Sequence, residues 1–288
     1  MISTLHASFA QDMSEVEIKA TKLTEHIYML QGRGGNIGLI KSDKEVMLID
    51  DQYAPLSEKI TTAIKSITPL PITYIINTHY HGDHVGGNVN FAHAGSIIIS
   101  HKNVRERVST EQVNKFRNST TPPMEEMGWP VITFEKDLTV YIGKEEVYMV
   151  KTENAHTDGD AIIYFKNSNI IHAGDAFVTY GYPYIDSSAG GTLTGMIALN
   201  ESILSIIDEN TVIIPGHGNL CKKEDLQLFV NRLKEIKSIL LEGIRAGKDS
   251  STLIQEEVLS KFDKDWGNGF IKAKDMITLV YDELLKLK

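Results

Sequence analysis

Cysteine occurs once in 288 residues, at Cys221, so the chain can form no internal disulfide and carries no Cys-rich zinc module. No apolar run approaches the roughly 18 residues that a membrane-spanning helix requires. Proline is sparse, at 8 residues, and no repeat, low-complexity tract or clean linker divides the chain. Positive charge is in short supply: 29 Lys+Arg against 38 Asp+Glu leave a formal charge of −9. That balance argues against nucleic acid as the main partner. What is present (42% hydrophobic, 23% charged and 8% aromatic residues) excludes disorder and coiled coil as descriptions of the whole. A chain of this length buries a sizeable core as one large domain or two small ones.

The first ten residues carry no Lys, Arg, Asp or Glu and end in Ser8-Phe9-Ala10, followed by Gln11-Asp12. Small-x-Ala ahead of a polar residue has the form of a signal-peptide cleavage site, although the basic n-region is missing and the apolar stretch is short. The expectation is a tail over residues 1–20 that includes a signal-peptide remnant, which places the protein in the periplasm or outside the cell. A disordered cytoplasmic N-terminus is the alternative. Residues 21–288 read as a single domain.

Within it, strands over 27–30 and 37–40 flank a Gly-rich turn, Gly32 to Gly35. That turn lacks the following helix and the Lys-Ser/Thr ending of a phosphate loop. Residues 45–49 read as a buried strand, and 56–67 as a helix stopped by Pro69 and Pro71. Strands over 72–77 and 96–99 come next, then a charged helix over 102–118 and a long loop over 119–130. A second block of strands covers 138–142, 147–152, 161–165 and 169–173. A loop rich in Tyr and Gly over 177–192, a helix over 195–207 and a strand over 212–214 complete this half. From about residue 222 helical spacing dominates. Strands then helices, twice over, predict two β-rich halves packed together with helices outside.

The chemistry concentrates where the strand over 72–77 ends. His79, His81, Asp83 and His84 fall within six residues. Imidazole and carboxylate together suit zinc, and also iron or manganese. Three further candidates stand at strand ends elsewhere: His156, Asp175 and His217. Each alone reads as an ordinary turn residue, but together with the four-residue cluster they make a set of seven donors. Ligating histidines usually need acceptors for their second nitrogen, and Asp50, Asp51 and Thr157 are candidates; for Asp50 a turn cap is an equal reading. His172 reads as a strand residue, and His6, His26, His93 and His101 as surface or structural.

These motifs together (His-x-His-x-Asp-His, the isolated His156, Gly174-Asp175 and Pro215-Gly216-His217-Gly218) resemble the metallo-β-lactamase superfamily of metal-dependent hydrolases. The resemblance runs from about residue 21 to 241. It implies an α+β fold, a four-layer αββα sandwich of two mixed sheets with helices outside. It also implies two divalent metals, zinc first, with manganese or iron as alternatives. His79, His81 and His156 would hold one metal, Asp83, His84 and His217 the other, and Asp175 would bridge them. A hydroxide shared by the metals would open a small ester, thioester, lactone or amide-like substrate, with Asp83 able to accept its proton. The best-known lactamases of the family have cysteine or serine at the position of Asp175. The aspartate here favours a general hydrolase over a dedicated zinc β-lactamase, which stays the alternative. A mononuclear-iron sulfur dioxygenase of the same fold is a second alternative, disfavoured because every second-site position is filled. Cys221 does not match the ligand position and reads as a buried structural thiol.

Loops select substrate. The loop over 120–130 carries Met124, Met127 and Trp129; the loop over 177–192 carries Tyr180, Tyr182 and Tyr184 and starts beside Asp175. Tyr180 and Tyr182 are candidate hydrogen-bond donors to a developing oxyanion. The expected pocket is apolar with hydroxyl edges, suited to an uncharged or weakly charged small molecule. Arg105, Arg107, Lys115 and Arg117, interleaved with Glu106 and Glu111, read as a solvated helix face. A homo-oligomer through the C-terminal helices is left open.

Overall fold

The computed structural model describes residues 13–151 and 153–288, so the Ser8-Phe9-Ala10 pattern and Thr152 lie outside the described residues. Strands β1 (Lys19–Lys22), β2 (Ile27–Gln31), β3 (Ile37–Lys41) and β4 (Val46–Ile49) form an antiparallel meander. Helix α1 (Ser57–Lys65) then carries the chain to β5 (Ile72–Asn77), parallel to β4. Two short helices, α2 (Gly82–Val85) and α3 (Asn88–His93), lead to β6 (Ile97–His101), and helix α4 (Lys102–Val108) follows.

The expected helix over 102–118 ends ten residues early. Past Val108 the chain turns into a hairpin of β7 (Gln112–Asn114) and β8 (Ser119–Thr121), with Val113 opposite Thr120. β-branched Val113, Thr120 and Thr121 favour the extended form, and Asn118 takes the left-handed turn at φ 47°. The expected loop over 119–130 therefore begins as a strand. Strand β9 (Ile132–Phe134) pairs with β6 at the edge of the first sheet.

The second sheet is β10 (Asp137–Ile142), β11 (Glu145–Val150), β12 (Ile162–Phe165), β13 (Ile170–His172) and β14 (Val212–Ile214). Helix α5 (Leu193–Ile206) connects β13 to its parallel neighbour β14. Helices α6 (Lys223–Arg245), α7 (Ser250–Gln255), α8 (Asp263–Trp266) and α9 (Ala273–Leu285) follow. Among the described residues the sheets contain seven and five strands, in the orders β1-β2-β3-β4-β5-β6-β9 and β10-β11-β12-β13-β14.

Side-chain alternation makes this a four-layer sandwich. Met47 and Ile49 of β4 point into the space between the sheets, where Ile163 and Phe165 of β12 and Ile214 of β14 meet them. Val46 and Leu48, one residue out of phase, pack instead on Ile60 and Ile64 of α1. Ile171 and Ile213 face the other way, onto Leu226, Phe229 and Leu233 of α6 and Val280 of α9. Strands covered on both faces need apolar residues at successive positions, which is why 46–49 and 212–214 read as unbroken hydrophobic runs. β4, β5, β13 and β14 all deliver their carboxyl ends to the same edge of the sandwich, where open α/β sheets place their ligand sites.

Candidate metal centre

The strand over 72–77 breaks at Thr78, and the next six residues are held in place from three directions. Asp50, left-handed at φ 64° just past β4, accepts hydrogen bonds from the Thr78 amide (2.7 Å) and hydroxyl (2.8 Å) and lies 2.8 Å from His84 Nδ1. Few residues besides Gly, Asn and Asp take that backbone conformation, and here it aims a carboxylate into the core. The Gly32–Gly35 turn presses on the other side: the Gly35 amide donates to Asp83 O, and a β-carbon at Gly35 would lie 2.1 Å from the His84 ring. The turn is thus a hairpin against the site, as its lack of phosphate-loop features implied. From the second sheet, a short turn after β13 presents Asp175 and the turn after β14 presents His217. His156 comes from the loop between β11 and β12.

Seven donors meet there. The nitrogens of His79, His81 and His156 lie within 4.8 Å of one another, and so do the donor atoms of Asp83, His84 and His217. A third grouping, His79, His84 and Asp175, overlaps the other two. Asp175 stands between the trios, with Oδ2 3.7 Å from His156 Nε2 and Oδ1 3.2 Å from His84 Nε2 and 3.5 Å from His217 Nε2. Asp83 Oδ2 is 3.2 Å from His217 Nε2.

The outward nitrogens are engaged. His79 Nδ1 is 3.0 Å from Thr78 Oγ1, His81 Nε2 is 3.0 Å from Asp186 Oδ2, and His156 Nδ1 is 2.6 Å from the Tyr184 carbonyl. With the outer nitrogen donating to such an acceptor, the inner one is a bare lone pair pointing at the centre. Two buried atoms there, His79 Nε2 and Asp175 Oδ1, make no aligned hydrogen bond. Buried polar atoms left unsatisfied are costly, and convergent imidazole and carboxylate donors with fixed tautomers are what a divalent cation satisfies. The residues fit the ions that the sequence implied.

Electrostatics separates the two trios. Burial holds His79 well below the usual imidazole range and also lowers His81 and His156, so these three are neutral. Burial acts on His84 and His217 too, but Asp175 and Asp83 outweigh it; His84 is raised well above its usual value and His217 is pushed up to about 9. Those histidines in turn hold Asp83 and Asp175 below the usual carboxylate range despite their burial.

Not every expected residue is at the centre. The Tyr180 ring stands 5.7 Å from that of His217, and burial together with Asp175 and Asp83 keeps its phenol protonated. Tyr182 is a correction: its hydroxyl bonds Leu259 O and Asp263 and its ring packs on Trp266, fully buried away from the seven donors. Between the two tyrosines Gly181 takes φ 128°, a backbone conformation that L side chains rarely adopt. The Asp51 side chain receives the Gly87 amide and the Thr157 hydroxyl donates to Asp160, so neither side chain bonds the ring of a donor histidine. His172 is a buried strand residue bonded to Asn36 O, and Cys221 is a buried thiol.

The sequence reasoning missed Asp186. Its Oδ2 takes the Tyr80 hydroxyl (2.7 Å) besides His81, and its Oδ1 caps the turn at Ser188 and Ala189. An Asp followed by two serines is a common turn start, and nothing else in the sequence singles it out. The arginines are no solvated helix face. Arg105 lies over Trp129, Arg107 grips Asp158 through two bonds of 2.7 Å, and Arg117 sits on the β7–β8 turn beside the site.

Comparison with known proteins agrees with this geometry. A family model described as the metallo-beta-lactamase superfamily matches residues 30–217. The 2,4-dinitroanisole O-demethylase subunit alpha of Nocardioides sp. (strain JS1661) is 22% identical over 233 residues, 80% of this chain and 67% of that protein. Among solved structures, the metallo-beta-lactamase from Pontibacter korlensis superposes with a TM-score of 0.62 at 18% identity, covering 76% of this chain and 99% of its own. The DIM-1 metallo-beta-lactamase does so with a TM-score of 0.62 at 15% identity, covering 77% and 99%. At these identities the solved structures speak to the fold. All seven donors lie inside the matched residues, and the chain belongs to the metallo-beta-lactamase superfamily, whose members are generally metal-dependent hydrolases.

Proposed function

We propose that this protein is a hydrolase that works with two divalent metal ions, zinc first among them, on a small ester, thioester, lactone or amide-like substrate. The observation that carries the reading is the division of the donors into two trios joined by Asp175. Ions held there would bring the pKa of a water from about 15.7 toward about 7 and polarise a carbonyl oxygen. His79, His81 and His156 supply neutral nitrogens without first losing protons. Asp175 fixes the spacing of the two trios. Asp83, whose side chain is 25% exposed at the mouth of the cleft, is placed to take a proton from an attacking water. Tyr180, kept protonated, is placed to donate to the oxygen on which charge develops.

The full second trio supports two ions over the single iron of a sulfur dioxygenase. β-Lactam cleavage is the second reading, supported by the fold shared with two metallo-beta-lactamases. The demethylase relative adds activated aryl methyl ethers to the bonds worth testing, and its name as a subunit supports a search for a partner chain. The decisive experiment is elemental analysis of the purified protein after loading with zinc, manganese or iron. It is paired with an activity panel of esters, thioesters, lactones, dinitroanisole, carbapenems and cephalosporins. The expected result is two equivalents of metal and a hydrolytic activity abolished by chelator. Folded protein that takes up no ion overturns the reading.

A further inference from the structure

The cleft in front of Asp83 has a volume of about 240 Å³, and the β7–β8 hairpin forms one wall of it. Arg107 of α4 and Asn114 and Arg117 of the hairpin are among the polar side chains that line the cleft, and the first two are already engaged. Arg107 binds Asp158 and Gln112. Asn114 donates to the Tyr184 hydroxyl at 2.6 Å and reaches Asp186. Arg117 is different. Its guanidinium lies 5.1 Å from the ring centroids of both Tyr184 and Phe270, and among the described residues it forms no ion pair and no side-chain hydrogen bond. Its charge is nonetheless felt by Tyr53, which lines the cleft, and by Tyr180 and Tyr184.

A guanidinium held by aromatic faces keeps its N–H edge free, and that edge matches the two oxygens of a carboxylate. Tyr184 in turn stacks on His81, ring centroids 5.8 Å apart and planes 25° from parallel. Arg117 therefore stands one aromatic layer beyond a metal-ligand histidine, at the cleft wall. On a chain of net charge −9, an unpaired cation at the mouth of the site is a specific feature and no part of a general basic surface.

We infer that Arg117 is a specificity-determining residue that pairs with a carboxylate of the substrate, set about one ring length from the bond that is cleaved. This narrows the expectation of an uncharged or weakly charged substrate to one that carries a carboxylate. It rests on the proposed hydrolase reading, and the test separates the two.

The probes are two benzohydroxamates whose hydroxamate end binds metal, one bearing a para carboxylate and the other a para carboxamide. Binding to the zinc-loaded protein is measured by calorimetric titration. The carboxylate probe is expected to bind about tenfold more tightly than the amide. Arg117→Gln is expected to erase that preference while leaving the affinity for the amide probe in place. Arg117→Lys is expected to restore only part of it, because an ammonium is a point charge without the planar fork. Equal affinity of the two probes for the native protein, or a preference that survives Arg117→Gln, overturns the inference alone. Failure of both probes to bind the native protein overturns the inference and the metal centre together.

Discussion

The two donor trios use the same imidazole group and place it in opposite states. His79, His81 and His156 are surrounded by one another and by hydroxyl, carbonyl and single-carboxylate partners, so burial dominates and they stay neutral. His84 and His217 share Asp83 and Asp175, with Asp50 behind His84, and the carboxylates hold protons on them. The lesson is that ligand identity alone does not set the readiness of a site. The first trio is prepared for a cation as it stands, whereas the second is prepared only once its protons leave.

The strongest way to break this comparison is to remove one imidazole from each side. His156→Ala is expected to lose metal from both positions and to lower kcat/KM at least about 1,000-fold, because polarisation by the ion is worth several kcal/mol. His217→Ala is expected to retain one equivalent. Metal analysis of both variants checks this, and two full equivalents in His156→Ala would erase the distinction.

Next in size is Asp50→Ala. It strips the Thr78 amide, the Thr78 hydroxyl and His84 Nδ1 of a buried acceptor at once. Denaturant unfolding of the metal-free variant should show a loss of about 3 kcal/mol. Chelator competition should show affinity at the His84 trio down by about 10–100-fold. An unchanged midpoint would mean that Asp50 is a turn cap and no more.

The finest test uses pH. His217 has its pKa raised to about 9, so below that value it is protonated and must lose its proton to bind metal. With the His84 proton leaving as well, affinity for the second equivalent should rise by about ten- to a hundredfold per unit between pH 7 and 9, while the first equivalent stays nearly flat. Calorimetry in buffers of different ionisation enthalpy counts the protons released. Equal slopes for both equivalents would collapse the two trios into one electrostatic environment.

Much of this centre was legible because its candidate ligands cluster at strand ends. The spacing of His79, His81, Asp83 and His84 after an apolar strand is visible without coordinates, and the hydrophobic runs of β4, β5 and β14 report burial on both faces. The positioning residues were only half visible. Asp50 declares itself by following β4, whereas Asp186 reaches His81 across more than a hundred residues and looks like any turn aspartate. Tyr182 misled because it shares with Tyr180 a loop that starts beside Asp175, and the backbone rotates at Gly181 between them. The span over 102–118 misled because its charges have helical spacing, and only Val113 and the Thr-rich stretch after Asn118 mark the hairpin. That hairpin places Arg117 at the cleft, so the error in secondary structure hid the charged wall of the pocket.

The donor set consists of nitrogen and oxygen alone. Cys221 stands apart, buried, its thiol pushed up to about 12 by that burial. Peroxide attacks thiolates first and would carry a cysteine ligand to sulfenic acid and beyond. Here the seven candidate donors offer it no such target, so peroxide should cost the site none of them.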